Sequence, residues 1–117
     1  MHNFKKLKIW QEGIEIVQEN YKLTRTFPKS EQFGLISQMN RCAVSIPSNI
    51  SEGTSKGTDR HFKKYLEDSL GSAFESKTQL IVAHNENYLS EKLFTALENK
   101  IIQIQKMISR FQSGLNL

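Results

Sequence analysis

Apolar residues recur every three or four positions through four segments of this chain, and no segment alternates apolar and polar residues as a strand would. The first segment covers residues 4–26, and its main apolar row is Phe4, Leu7, Trp10, Ile14, Val17 and Tyr21. It is flanked by a second row made of Ile9, Ile16 and Leu23. This spacing predicts an all-α protein whose first helix has neighbours on two sides.

The second segment carries a proline inside its helical pattern. The residue before Pro28 is disfavoured in the helical region, so the first helix should end there, and Ser30 is the predicted N-cap of the second. The apolar rhythm passes through Gly34 and continues beyond Pro47 to Ile50. We therefore expect the proline to kink the second helix rather than end it.

The third and fourth helices are bounded by clear signals. Residues 53–57 form a predicted loop, and Thr58 and Ser90 are the predicted N-caps of the two helices, with a connection at residues 85–87. The fourth helix has a near-heptad seam made of Leu93, Leu97, Ile101, Ile104, Ile108, Phe111 and Leu115. Four helices joined by short loops predict an antiparallel up-down four-helix bundle, as a single domain spanning residues 1–117.

Composition bears on the oligomeric state of this bundle and on its location in the cell. Of its 117 residues 38% are hydrophobic, which leaves a modest core and favours burial between subunits, so we expect a homo-oligomer. The single cysteine, Cys42, allows no internal disulfide, and no long apolar run follows the first lysines. We expect a cytoplasmic protein with no membrane span.

A polar stripe runs along the predicted second helix. Its members follow i, i+4, i+8 and i+11 spacing and are Arg41, Ser45, Asn49 and Glu52. Ser45 or Asn49 could bond the carbonyls left free beside Pro47, and Glu52 or Glu75 could neutralise Arg41. This favours an internal network or a subunit interface, with Glu75 and Gln79 of the third helix in the same polar set. The alternative is a patch that contacts nucleic acid or a protein partner.

Two basic clusters are the second candidate site. The first surrounds the predicted loop and the start of the third helix and comprises Lys56, Arg60, His61, Lys63 and Lys64. The second lies near the N-terminus and comprises Lys5, Lys6 and Lys8. Helices one and three run in the same direction in an up-down bundle, so both clusters should share one end and could bind phosphates there. The alternative is an ordinary solvated surface. We expect Trp10, Tyr21 and Tyr65 in the core rather than as platforms for bases.

Catalytic signals are weak, so we predict a protein that is not an enzyme and holds no metal or cofactor. His2, His61 and His84 have no metal-ligand spacing with carboxylates or with Cys42, which lies on an apolar row. The pair of glycines at 53 and 57 lacks the lysine-serine ending of a phosphate loop.

The combined motifs resemble a known family. They are Arg41-x-x-x-Ser45-Ile46-Pro47-x-Asn49-Ile50-x-Glu52-Gly53, then Phe62-x-x-Tyr65-Leu66, then Leu70-Gly71-Ser72-x-x-Glu75-x-x-x-Gln79-Leu80. Together they are similar to the bacterial four-helix-bundle proteins encoded in intervening sequences of 23S rRNA genes. This resemblance implies an up-down bundle that assembles into rings, with a pentamer as the expected size. A related branch is the accessory protein of diversity-generating retroelements, which binds a reverse transcriptase.

The leading functional hypothesis is a non-enzymatic, self-assembling module. It would bind nucleic acid, RNA above all, or a ribonucleoprotein partner through its basic end. The alternative is a scaffold for a reverse-transcriptase-like protein that does not itself contact nucleic acid.

Overall fold

The computed structural model describes residues 3–117, which form four α-helices. These are α1 (Lys8–Thr24), α2 (Leu35–Thr54), α3 (Asp59–Asn85) and α4 (Glu91–Ser113). Short 3-10 helices, Phe4–Lys6 and Lys29–Glu31, precede α1 and α2, and residues 3–117 contain no strand. The predicted all-α class and the number of helices are confirmed.

Contacts between successive helices establish the up-down arrangement. Asn20 near the end of α1 bonds Asn40 near the start of α2, with 2.7 Å between Nδ2 and Oδ1. The Gln112 side chain near the end of α4 donates to the Lys63 carbonyl near the start of α3. Each helix is therefore antiparallel to its neighbour, and the N-terminus of α1 lies at the same end as the N-terminus of α3.

The core lies along the bundle axis and draws on all four helices. Its most deeply buried apolar side chains include Ile16, Ile46, Ile50, Leu66, Leu80, Ile104 and Ile108. The predicted α4 seam is buried over its central part, whereas Leu93 at its start is 51% exposed. α3 buries small residues with its larger ones, among them Ala73, Ser69 and Ser76, which allows α2 to approach closely.

The two apolar rows of α1 are ranked differently from the prediction. The flanking row, Ile9, Ile16 and Leu23, is the one buried in the core, and Trp10, Ile14 and Val17 of the main row are half-buried. Tyr21 is 36% exposed, so its assignment to the core is wrong. At this level of α1 the buried side chains are the polar residues Asn20 and Thr24. Their burial is possible because both donate to the Asn40 side-chain oxygen.

The start of α2 also differs from the prediction. Ser30 lies within the second 3-10 helix and does not cap α2, which begins five residues later, at Leu35. The Glu31 side chain takes over this role, because its Oε1 accepts from the backbone N–H of Leu35 at 3.2 Å. Its second oxygen accepts from the hydroxyl of Tyr88 at 2.8 Å, which ties the cap to the loop between α3 and α4. Thr58 and Ser90 cap α3 and α4 as predicted.

α2 continues through Pro47, as predicted for a proline that does not end its helix, and it ends at Thr54, two residues into the predicted loop of residues 53–57. A Cβ placed at Gly13 of α1 would lie only 3.2 Å from the Pro47 Cβ. The absence of a side chain at Gly13 therefore lets α1 pack directly against the proline ring.

Candidate functional site

Both predicted basic clusters lie at the end of the bundle that contains the N-termini of α1 and α3. Lys5 and Lys6 are in the 3-10 helix before α1, which packs against α2, and Lys8 is the first residue of α1. The second cluster begins at Lys56, between α2 and α3, and continues through the first turns of α3. All three N-terminal lysines are exposed. We call this part of the molecule the basic end.

The charge of the protein is concentrated in this half. The bundle can be divided into two halves at the level where Ser69 bonds Ile46. The half that contains the basic end, the basic half, comprises residues 3–14, 46–70 and 104–117. It carries nine Lys and Arg against five Asp and Glu residues, whereas the other half carries seven of each. The formal net charge of +4 therefore lies entirely in the basic half, which contains the basic end.

Part of the α3 cluster lines an open groove, here named the Lys56 groove, of about 430 Å³. Its lining residues are Lys56, Gly57, His61, Lys64, Tyr65 and Asp68. The Lys56 ammonium lies 4.8 Å from the centre of the Tyr65 ring, which is within the range of a cation–π contact. Tyr65 is half-buried and forms part of the groove wall, so its predicted place in the core is only partly right.

Arg60 and Lys63 lie instead in a second depression, the Arg60 groove, which they share with the C-terminal tail. Asp59 also lines it, and its carboxylate accepts from the backbone N–H of Asn116 at 3.1 Å. Among residues 3–117 the ion pairs involve only Glu19 with Lys22, His84 with Glu91, and Glu15 with Lys100. The cations of the basic end therefore have no carboxylate partner in the part of the chain described.

Two members of the polar stripe donate hydrogen bonds to backbone carbonyls of α2 near Pro47. Ser45 donates its hydroxyl to the Cys42 carbonyl, and the Asn49 amide donates to the Ser45 carbonyl at 2.9 Å. From α3, the buried hydroxyl of Ser69 donates to the Ile46 carbonyl at 2.8 Å. Ser45 and Asn49 therefore bond backbone carbonyls close to Pro47, but neither bonds the Ala43 carbonyl, which is the one that loses its helical partner because Pro47 has no N–H.

The predicted neutralisation of Arg41 is wrong. Within residues 3–117 its guanidinium makes no ion pair with Glu52 or Glu75, and its hydrogen bond goes to the Ser37 hydroxyl at 3.4 Å. Arg41 and Glu75 are both exposed on the bundle surface, where water can solvate their charges. Ion pairs between exposed side chains contribute little to stability, so folding does not require this one.

Four members of the predicted polar set nevertheless line a common groove. Arg41, Ser45, Glu75 and Gln79 surround it together with Gln38 and Cys42, whereas Asn49 and Glu52 lie outside its lining. The side-chain oxygen of Gln79 is buried and has no hydrogen-bond partner in residues 3–117.

Cys42 has the environment of an unreactive thiol. Burial, opposed by a hydrogen bond from Ser76 and reinforced by contact with Glu75, raises the pKa of Cys42 from 9.0 to about 11. Its S–H donates to the Ser72 carbonyl oxygen, with 3.2 Å between Sγ and the oxygen. The thiolate is the nucleophilic form of cysteine, and at neutral pH this site holds the thiol.

Residues 3–117 contain neither a cluster of metal-binding side chains nor a membrane-spanning helix. No group of three or more His, Cys, Asp or Glu side chains in this range could hold a metal ion. His61 contacts the Thr58 hydroxyl, and His84 pairs with Glu91 at 2.7 Å, while His2 lies outside the described residues. None of the helices described is both long enough and apolar enough to cross a membrane.

The structure defines an up-down four-helix bundle with one strongly basic end and a polar groove between α2 and α3. The sequence of residues 5–110 matches the family described as 23S rRNA-intervening sequence protein, and the chain belongs to that family. No curated protein matches the chain.

A solved structure has the same fold. It is the crystal structure of a protein with unknown function from the S23 ribosomal protein family of Bacteroides thetaiotaomicron VPI-5482. The two chains superpose with a TM-score of 0.83 at 19% sequence identity, over 89% of this chain and 97% of the other. At this identity the similarity establishes the fold.

Sequence reasoning missed several residues of the basic end. Asp68 and Gly57 line the Lys56 groove, and Asn116 and Leu117 line the Arg60 groove. The signal for Asp68 is present in the sequence, because residues 61, 64, 65 and 68 have the i, i+3, i+4, i+7 spacing of one helix face. The tail residues carry no such signal, since their position depends on where α4 ends in space.

Proposed function

We propose that this protein is a non-enzymatic, self-assembling helical module whose basic end binds nucleic acid, with RNA as the expected ligand. The observation that carries the proposal is the concentration of the entire net charge in one half of the bundle. Binding of a phosphate backbone releases condensed counterions, and that gain requires cations that are not already engaged by carboxylates. Lys56, Arg60, Lys63 and Lys64 meet this requirement among the residues described.

The proposal predicts steep salt dependence. If four cations each engage one phosphate of a single strand, the logarithm of affinity should fall with the logarithm of salt concentration with a slope of about −3. That slope corresponds to roughly a 50-fold loss of affinity between 50 and 200 mM salt. Fluorescence anisotropy of a labelled single-stranded RNA measures it directly.

Absence of binding at low salt would rule the proposal out. In that case the scaffold hypothesis becomes the better account, in which the bundle docks on a reverse-transcriptase-like protein. Capture of one protein from the native cell that survives nuclease treatment would support the scaffold.

Self-association is the second part of the proposal. Several large apolar side chains are solvent-exposed on the single chain, including Phe74 at 56% and Ile81 at 38% on α3, and Val44 at 36% on α2. Contact between copies would remove such surface from water, and a ring would repeat the basic end around its axis.

Sedimentation at micromolar concentration tests this assembly. We expect a mass several times that of one chain, with a pentamer as the size implied by the resemblance. A mass equal to one chain would contradict the assembly while leaving the salt-dependence test of the basic end intact.

A further inference from the structure

Tyr65 is an aromatic side chain at the wall of a cationic groove. Its ring is half-buried at the basic end, and the Lys56 ammonium lies 4.8 Å from the ring centre. The Tyr65 hydroxyl has no hydrogen-bond partner among residues 3–117, unlike that of Tyr88, which bonds Glu31. Nothing in the fold described therefore requires the phenol group.

The Tyr65 Cβ packs closely against α2. A Cβ added at Gly53 would lie 2.9 Å from the Tyr65 Cβ and 2.8 Å from a Phe62 ring carbon, so α2 packs tightly against this turn of α3. A half-buried tyrosine side chain, which turns about only two bonds, loses little conformational entropy when a ligand stacks on its ring, and this favours a stacking platform.

The groove has chemically different ends. His61, Tyr65 and Asp68 follow one another along the same face of α3, with His61 nearest the helix N-terminus. Lys56 and His61 therefore lie towards the basic end, and the carboxylate of Asp68 lies about two turns further along the helix. A phosphate fits the first position and is repelled from the second, where a hydrogen-bond donor such as a base amino group fits.

We propose that the Lys56 groove holds one unstacked nucleotide of a single strand, with its base on the Tyr65 ring and its phosphate beside Lys56. This inference rests on the proposed function and adds the ligand class to it. The phosphate draws the Lys56 ammonium from the ring by a stronger ionic contact, which frees the ring face for the base. The edge of the base is then directed towards Asp68.

A site of this kind should bind single strands in preference to duplexes. Bases in a helix are stacked on both faces, so none is available to a side-chain ring, whereas bases of a single strand can leave the stack. Electrostatic attraction alone would not make this distinction, because a duplex carries the higher charge density.

The decisive experiment compares two ligands that have the same phosphate backbone. Affinity of the unmodified protein is measured for a short single-stranded RNA and for the same strand with abasic sugars throughout. We expect the strand with bases to bind about tenfold more tightly, in line with the measured contribution of base–aromatic stacking. Equal affinity for the two strands would overturn the inference and leave salt-dependent binding, and hence the proposed function, standing. Failure of both strands to bind at low salt would overturn both.

Variants of the ring assign the difference to Tyr65. Tyr65→Leu should abolish the preference for the strand with bases, Tyr65→Phe should retain it, and Tyr21→Leu, which removes an exposed ring from the other half of the bundle, should not change it. A preference that survives in a folded Tyr65→Leu protein would contradict the role of this ring. Should that variant fail to fold, tryptophan fluorescence of a Tyr65→Trp, Trp10→Phe protein provides the readout. It should be quenched by the strand with bases and not by the abasic strand, and equal signals would overturn the inference.

Discussion

The Gly53→Ala substitution should lower the free energy of unfolding by about 1–3 kcal/mol. Gly53 is buried in the last turn of α2, where the helix passes over α3. The added methyl would lie 2.8 Å from a Phe62 ring carbon and 2.9 Å from the Tyr65 Cβ. The Tyr65 Cβ is fixed to the α3 backbone and cannot turn aside, so the two helices must move apart. Chemical denaturation followed by circular dichroism measures the effect.

The Gly71→Ala substitution is the matched control for this prediction. Gly71 lies in the middle of α3, is exposed, and has no atom within 4 Å of its added Cβ. The same methyl group should here raise the free energy of unfolding by about 0.5–1 kcal/mol, because alanine is the better helix former. If Gly53→Ala left the free energy of unfolding unchanged, or raised it as Gly71→Ala should, the close approach of α2 and α3 at Gly53 would be contradicted.

Helix number and most helix ends could be predicted from the sequence because they depend on local chemistry. Thr58 and Ser90 cap their helices through bonds to backbone N–H groups three residues on. The face that each helix packs into the core could not be predicted from local chemistry. In α1 two apolar rows are available, and the choice follows from Asn20 and Thr24, which can be buried only because Asn40 lies opposite. That partner is 16 to 20 residues away in sequence, beyond the reach of periodicity.

The candidate sites show the same division. Ser45 and Asn49 donate to carbonyls three and four residues before them, and local bonding of this kind could be predicted from the sequence, whereas the choice of carbonyls could not. The neutralisation of Arg41 by Glu52 or Glu75 is predicted from charge alone and is wrong, since exposed ions gain little from a fixed partner. The capping role of Glu31 has no signal in the sequence, where Ser30 beside it is the better N-cap residue. The bonds of Glu31 to Leu35 and Tyr88 arise from a change of chain direction that sequence spacing does not report.

Reversal of four charges at the basic end should have the largest effect on binding. In a Lys56→Glu, Arg60→Glu, Lys63→Glu, Lys64→Glu protein, affinity for single-stranded RNA should fall by at least about 100-fold at low salt. The salt dependence should also lose a slope of about 3, because each cation that contacts a phosphate contributes about 0.7. The substituted side chains reach the surface of the loop and of the first turns of α3, so the fold should be retained.

The control for this variant must carry the same total charge. An Arg25→Glu, Lys29→Glu, Lys77→Glu, Lys92→Glu protein changes four cations of the other half, none of which makes an ion pair among the residues described. Both variants have the same net charge, so long-range attraction to RNA is reduced equally in the two proteins. Any difference in affinity between them then reports where on the bundle the RNA binds.

The most direct test of the account is therefore the affinity of these two variants for one labelled single-stranded RNA, measured side by side at low salt. The account predicts that reversal at the basic end weakens binding at least about tenfold more than reversal in the other half, since only the former removes direct phosphate contacts. Equal losses in the two proteins would show that net charge alone governs the interaction and would contradict a binding site at the basic end.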